Sequence, residues 1–255
     1  MSTEDIIAKI EDNIMIKRGD ECWRMIMDEF LPEANNWKDY SNELAKLKKK
    51  IIYDVFGIRI SEKPKGRIKS KKDFWAVGVT KMRIDHEMRD IVRCFWDNLK
   101  STQESNSSLR SVNILKYIND DLRVCHIITQ AKAFGLIPPR DFIVVMGRKE
   151  IDKDRILIYN MSIDDILDWP SHPSHVRGCL GPNGFLYERL GEKRTLVTML
   201  YNADLKIPRI VWPLYERKMV EAGLEDIQNV ARYLEGKEVV QLDLKLPKWM
   251  VDSVK

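Results

Sequence analysis

Residues 134–151 read FGLIPPRDFIVVMGRKEI. Pro138 and Pro139 can neither continue a helix nor donate to a ladder, so they close whatever precedes them. Phe142 to Met146 are large or β-branched and apolar, and charge returns only at Arg148; such a run is a buried strand opening out of a loop. Period two puts Phe142, Val144 and Met146 on one face. In the run before it, LRVCHIITQAK (122–132), the same period groups Cys125, Ile127 and Thr129. Two adjacent strands with such faces could line a dry cavity or simply pack a filled core, and periodicity alone leaves both open.

Outward from these two strands the pattern repeats. VNILKYIND (112–120), DRILIYNMSI (154–163), HVRGCLGPNGFLYERLGE (175–192) and RTLVTMLYNADL (194–205) are strand-like runs. Between them stand Asp-Asp, Pro-Pro, Asp-Lys-Asp and Gly-Pro-Asn-Gly, all turn formers, so sequential runs pair antiparallel. Upstream, KKIIYDVFGIRISE (49–62) and DFWAVGVTKMRID (73–85) have the same character, with the basic stretch KPKGRIKSKK (63–72) in a loop between them. Helical spacing governs 5–35, where Ile6, Ile10 and Ile14 recur and Trp23, Ile26, Met27, Phe30 and Leu31 extend the stripe. Gly19-Asp20 is expected to divide that segment in two, and Pro32 suggests an end near it. A second helical stretch, DHEMRDIVRCFWDNL (85–99), carries Met88, Ile91, Val92, Phe95, Trp96 and Leu99 on one side, and STQESNSS after it reads as a polar loop or frayed helix. The last helix spans 208–234 with Pro208 in its first turn. Pro213, one turn on, is expected to kink it. Gly223 either leaves room on its inner side beside Met219 and Ile227 or marks a break between two helices. Residues 236–255 read as a charged tail.

The order is therefore helices, about three strands, a helix, about six strands and a long helix of about 38 Å at 1.5 Å per residue. This is an α+β chain, one domain over residues 1–235 with the helices of 1–36 included.

Bulk composition narrows the function. A hydrophobic share of 44% over 255 residues furnishes one sizeable core, and no apolar run is long enough to span a bilayer. The acidic start MSTEDIIAKIEDN lacks the pattern of a secretory signal. Cys22, Cys94, Cys125 and Cys179 are widely spaced, which suits free thiols in a reducing cytoplasm. Cys125 is expected to be a small buried apolar group. The net charge of +4 is mild, but Lys63, Lys65, Arg67, Lys69, Lys71 and Lys72 are clustered. They form either a solvated loop or a contact for an anionic surface. Nucleic acid is set aside, because the cluster has one interleaved apolar residue, Ile68, and no aromatic for stacking. His172-Pro-Ser-His175 is read as a loop, since Pro173 excludes the helix that would bring both rings to one metal. No nucleophile elbow, phosphate loop or HExxH motif occurs, and no cofactor is expected.

FGLIPPRDFIVVMGRKEI resembles the signature of the START (StAR-related lipid transfer) family, whose loop ending in Pro-Arg-Asp-Phe opens a central strand. HVRGCLGPNGFLYERLG is similar to that family's Val-Arg strand, turn and apolar strand, and RTLVTMLYNADLKIPR to its last strand and the Ile-Pro step into the closing helix. The three fall in the family order from about Asn113 to Leu234; Trp37 and Ala76-Val77-Gly78-Val79 anchor the first third. The resemblance implies a helix-grip fold, a curved antiparallel sheet of about nine strands wrapped around the long C-terminal helix, holding one lipid.

It also implies a site. Cys125, Ile127, Thr129, Phe142, Val144, Met146, Met219, Gly223 and Ile227 would line the cavity. Sterol-binding relatives place an acidic residue and an arginine where this chain has Ile127 and Met146, so an acyl-chain lipid, such as a phospholipid, is expected over a sterol. The family's Arg and Trp-Asp pattern before the fourth strand, which helps hold phosphocholine in some members, is replaced by STQESNSSLRS. Phe134, Leu136 and Ile137 form an apolar loop tip suited to a gate that rests on the helix or in a bilayer. The expectation is a monomeric, non-enzymatic carrier that docks transiently on anionic membrane. An enzyme of cyclase or hydrolase type on a related scaffold, and a sterol-binding START protein, are the alternatives.

Overall fold

The computed structural model describes residues 2–36, 38–39, 55–60, 75–131, 137–207 and 212–240. In chain order the elements are α1 (Thr3–Ala8), α2 (Asp12–Arg24), β1 (Lys38–Asp39), β2 (Val55–Ile60), β3 (Trp75–Ile84), α3 (Met88–Trp96) and α4 (Leu99–Ser105). Then come β4 (Leu109–Asn119), β5 (Leu122–Thr129), β6 (Arg140–Asp152), β7 (Arg155–Ser162), β8 (Val176–Arg177), β9 (Cys179–Leu180), β10 (Asn183–Gly191), β11 (Arg194–Asp204) and α5 (Trp212–Leu234).

The main sheet is open and antiparallel, in the order β1-β2-β3-β11-β10-β7-β6-β5-β4; β8 pairs with β6 in parallel and β9 with β11. The chain runs β4 to β7 by hairpins, then returns through β10 and β11 to close against β3, Leu200 opposite Val79. Alternation along these strands divides the apolar residues between two layers. The inner layer holds Met82, Val144, Met146, Ile158, Tyr187 and Met199 against Leu224, Ile227 and Val230 of α5 and Ile91 and Phe95 of α3. The outer layer holds Val79, Ile143, Val145, Leu157 and Leu200 beneath Ile6, Met15, Cys22 and Ile26 of the N-terminal helices. A sheet buried on both faces explains why its strands read as long apolar runs.

Several expectations need correction. Helix α2 runs straight through Gly19, and the break lies earlier, between Ala8 and Asp12. Gly19 is there for packing: a Cβ on it would meet Leu122 Cδ1 at 2.9 Å. The helical stretch does end near Pro32, four residues on. Pro32 follows a π-helical segment, Met25–Phe30, and the chain turns on through Ala34–Asn36 as 3₁₀ helix. Of the two readings of STQESNSS the helical one holds in part, as α4, because Asn98 caps the backbone N–H groups of Lys100 and Ser101, and Thr102 Oγ1 donates to Phe95 O at 2.9 Å.

The closing helix differs most. It begins at Trp212, so Pro213 is its second residue and kinks nothing; a first-turn proline breaks no helical hydrogen bond. Pro208 lies outside the described residues. The helix is unbroken at Gly223, which also leaves no spare room. A Cβ there would stand 3.0 Å from Thr80 Oγ1 and 3.6 Å from Met199 Sδ, so the glycine lets α5 approach β3 and β11 closely. Beyond the helix the chain turns back, and the Asn229 amide donates to Val240 O and accepts from Val240 N, each at 2.9 Å.

Candidate functional site

The Arg-Asp-Phe step at the start of β6 is a three-way junction. Arg140 Nε donates to Leu205 O at 2.9 Å, and its Nη1 donates to Pro138 O, tying the strand's start to the end of β11. Asp141 points to the other face and accepts from Arg177 Nη2 at 2.8 Å; Arg177 Nη1 donates to Asp164 at 2.8 Å. Burial would raise the Asp141 carboxyl, but the nearby His126 and the hydrogen bond and charge of Arg177 outweigh it and hold the group well below the usual carboxylate range. Burial pushes the Asp164 carboxyl up against the pull of Arg177. Phe142 packs under Gly178, where a Cβ would collide with its ring at 2.3 Å. Thus Pro-Arg-Asp-Phe, Val-Arg-Gly and the segment after β11, far apart in sequence, form one packed unit at the end of the inner layer.

Most of the expected lining comes together here. Cys125, Ile127, Phe142, Val144, Met146 and Ile227 are all buried in the inner cluster. The register sets Cys125 opposite Val144 and Ile127 opposite Phe142. Burial lifts the Cys125 thiol to about 11, so it stays neutral. Thr129 is placed differently: its hydroxyl accepts from Arg140 N at 2.9 Å and serves the junction. Gly223 lies against the sheet, as described above. Met219 is within α5, and its side chain lies outside the described residues. So do Phe134 and Leu136 of the proposed gate, while Ile137 is half-buried beside the prolines. The basic cluster, Lys63, Lys65, Arg67, Lys69, Lys71 and Lys72, also lies outside them. His172 and His175 stack with centroids 4.3 Å apart, and His172 Nδ1 accepts from Ser174 N, which fixes the loop.

The inner layer also contains polar groups that the sequence pattern does not single out. Arg123 is opposite Met146 and therefore shares the face of Cys125 and Ile127; only 4% of it is exposed. Its Nη1 donates to Trp96 O at 3.0 Å, and its guanidinium lies 4.0 Å from the centroid of the Trp96 ring. Asn160 stands in the same cross-strand row, opposite Met146 on one side and Asn183 on the other. Tyr187 is fully buried, stacked near Phe185 and Phe95, with burial driving its phenol well above the ordinary value. The signal for Arg123 was present: the period that grouped Cys125 with Ile127 also includes residue 123. The family resemblance singles out positions 127 and 146 and says nothing of 123.

Residues 26–229 match the START domain family. One curated relative, the human StAR-related lipid transfer protein 6, is 33% identical over 87 residues, a match that takes in 34% of this chain and 39% of that protein. Among solved structures, human StAR-related lipid transfer protein 5 superposes with a TM-score of 0.58 at 18% identity, covering 76% of this chain and 93% of that one. A STAR-related lipid transfer protein from Xanthomonas axonopodis does so at 0.53 and 13% identity, covering 72% and 98%. The structural likeness is one of fold; the sequence match extends over most of the chain, and by it this protein belongs to the START domain family.

Proposed function

We propose that this protein binds one acyl-chain lipid between the inner face of its sheet and α5 and carries it between membranes. The observation that supports this reading is the largely apolar buried inner face of β5 and β6, on which Arg123 is the charged exception. Ile127 and Met146 occupy the two positions where sterol-binding relatives carry an acid–arginine pair, and both are buried among other apolar side chains. A sterol hydroxyl placed there would lose its water with no partner from those positions, at a cost of about 1–3 kcal/mol. An acyl chain needs no such partner, and its burial contributes roughly 25 cal/mol per Å² of apolar surface. The buried inner-face positions Arg123, Cys125, Ile127, Phe142, Val144 and Met146 carry no carboxylate or imidazole that could pass a proton, which favours a carrier over a cyclase or hydrolase. Loading requires a wall to move. Phe134, Leu136 and Ile137, just before Pro138 in sequence, are the proposed gate, and the cluster from Lys63 to Lys72 is the proposed contact with an anionic membrane. We take the carrier to act as a monomer.

Native mass spectrometry of the purified chain, with and without added lipid, tests this reading. A one-to-one adduct with a phospholipid mass is expected. Competition between fluorescent phospholipid and fluorescent sterol decides the class; tight sterol binding with weak phospholipid binding would overturn it.

A further inference from the structure

Arg123 lacks what a buried arginine ordinarily has. No ion pair with a carboxylate is made by it among the described residues; Asp97, whose field acts on it, pairs with Arg148 at 3.8 Å. One N–H is bonded to Trp96 O and another lies 3.6 Å from the weak acceptor Met146 Sδ, while Nε is buried with no partner. A guanidinium has five N–H donors and does not shed its charge, so this one is left under-bonded and un-neutralised within an apolar layer. The face of Trp96 offsets part of that cost. Two strands away in the same row, about 10 Å at the strand spacing, Asn160 Oδ1 is also buried with no partner. Met146 lies between them. A cation short of an acceptor and an amide oxygen short of a donor thus face one layer across a single apolar side chain.

We propose that Arg123 is the anchor for the head of the lipid, and that the head is compact and anionic, a carboxylate or a phosphate seated over Met146. Arg123 Nε donates to the anionic oxygen, and Asn160 Oδ1 accepts from a hydroxyl on the head or from a water beside it. The anchor comes from β5, so an apolar residue at 146 does not leave the site without a polar contact. This inference rests on the carrier reading above and names its ligand class.

The test uses the full chain stripped of lipid, with oleate, dioleoyl phosphatidic acid and dioleoyl phosphatidylcholine as probes, in the wild type, Arg123→Met and Arg123→Lys. Wild type should bind at least one of the two anionic probes more tightly than phosphatidylcholine; oleate alone marks a carboxylate site, and phosphatidic acid alone a phosphate site. Arg123→Met should weaken the anionic probes about 10- to 100-fold, the loss of one charge-assisted bond, and leave phosphatidylcholine within about twofold. Arg123→Lys keeps the charge and should fall between, which keeps the test decisive if the methionine variant does not fold. Equal affinities for the anionic probes in wild type and the folded variants, or a wild-type preference for phosphatidylcholine, would overturn the anchor and leave the carrier intact. Binding of no lipid by the wild type would overturn both.

Discussion

Replacing Arg177 with methionine should test the junction that joins the three segments resembling the family signature. The side chain is of similar length, so apolar contacts are largely kept while the charge is removed. Asp141, whose side chain is 2% exposed, would then be a buried carboxylate with His126 as its remaining partner among those described, at 3.4 Å. Breaking a buried pair from one side costs about 3–5 kcal/mol. At this chain length 1 kcal/mol corresponds to about 2 °C, so the melting temperature should fall by about 6–10 °C at pH 7. Acid should narrow the gap. Asp141 is held below its unfolded value, so its contribution in the wild type is fully present above about pH 4 and is lost as pH falls further. In the variant that contribution is already missing, and Asp164, raised by burial even beside Arg177, should rise further when the guanidinium is gone. Calorimetry from pH 7 to pH 3 should therefore show the two melting curves converge. The double variant Asp141→Asn, Arg177→Met, in which the charge at 141 is no longer stranded, should recover part of the loss. A fall of less than about 2 °C at pH 7, or a gap that does not change with pH, would refute the reasoning and reduce the contact to a surface ion pair.

Gly223→Leu should destabilise the fold by about 1–3 kcal/mol through overpacking against Thr80 and Met199, read by denaturant unfolding; unchanged stability would mean that α5 can back away from β3. In a vesicle transfer assay, Lys69→Glu with Lys71→Glu and Lys72→Glu should weaken docking on anionic vesicles and flatten its salt dependence, each cation being worth about 1 kcal/mol. Leu136→Asp with Ile137→Asp should slow transfer without lowering the melting temperature, and transfer at the wild-type rate in both variants would remove the docking cluster and the gate together.

Much of the fold was legible in the sequence because it is written in local periods. Alternation in RDFIVVMG and LRVCHIIT assigns faces without any knowledge of what lies opposite, and the turn residues between runs fix antiparallel neighbours. The helical spacing of Met88, Ile91, Val92 and Phe95 likewise names the buried side of α3. What glycines and prolines do was legible only in part. Gly19 and Gly223 look like breaks in one dimension, yet both serve contacts with strands more than a hundred positions away, at Leu122 and at Thr80. Which distant groups meet was decided by tertiary structure alone. No spacing rule says that Arg177 reaches Asp141, or that Arg140 reaches the carbonyl of Leu205. Nor does one say that Arg123 lies buried over Trp96 with a donor unused. A side chain's face is a property of its own strand; its partners, and whether it lacks one, depend on which strands and helices the folded chain brings around it.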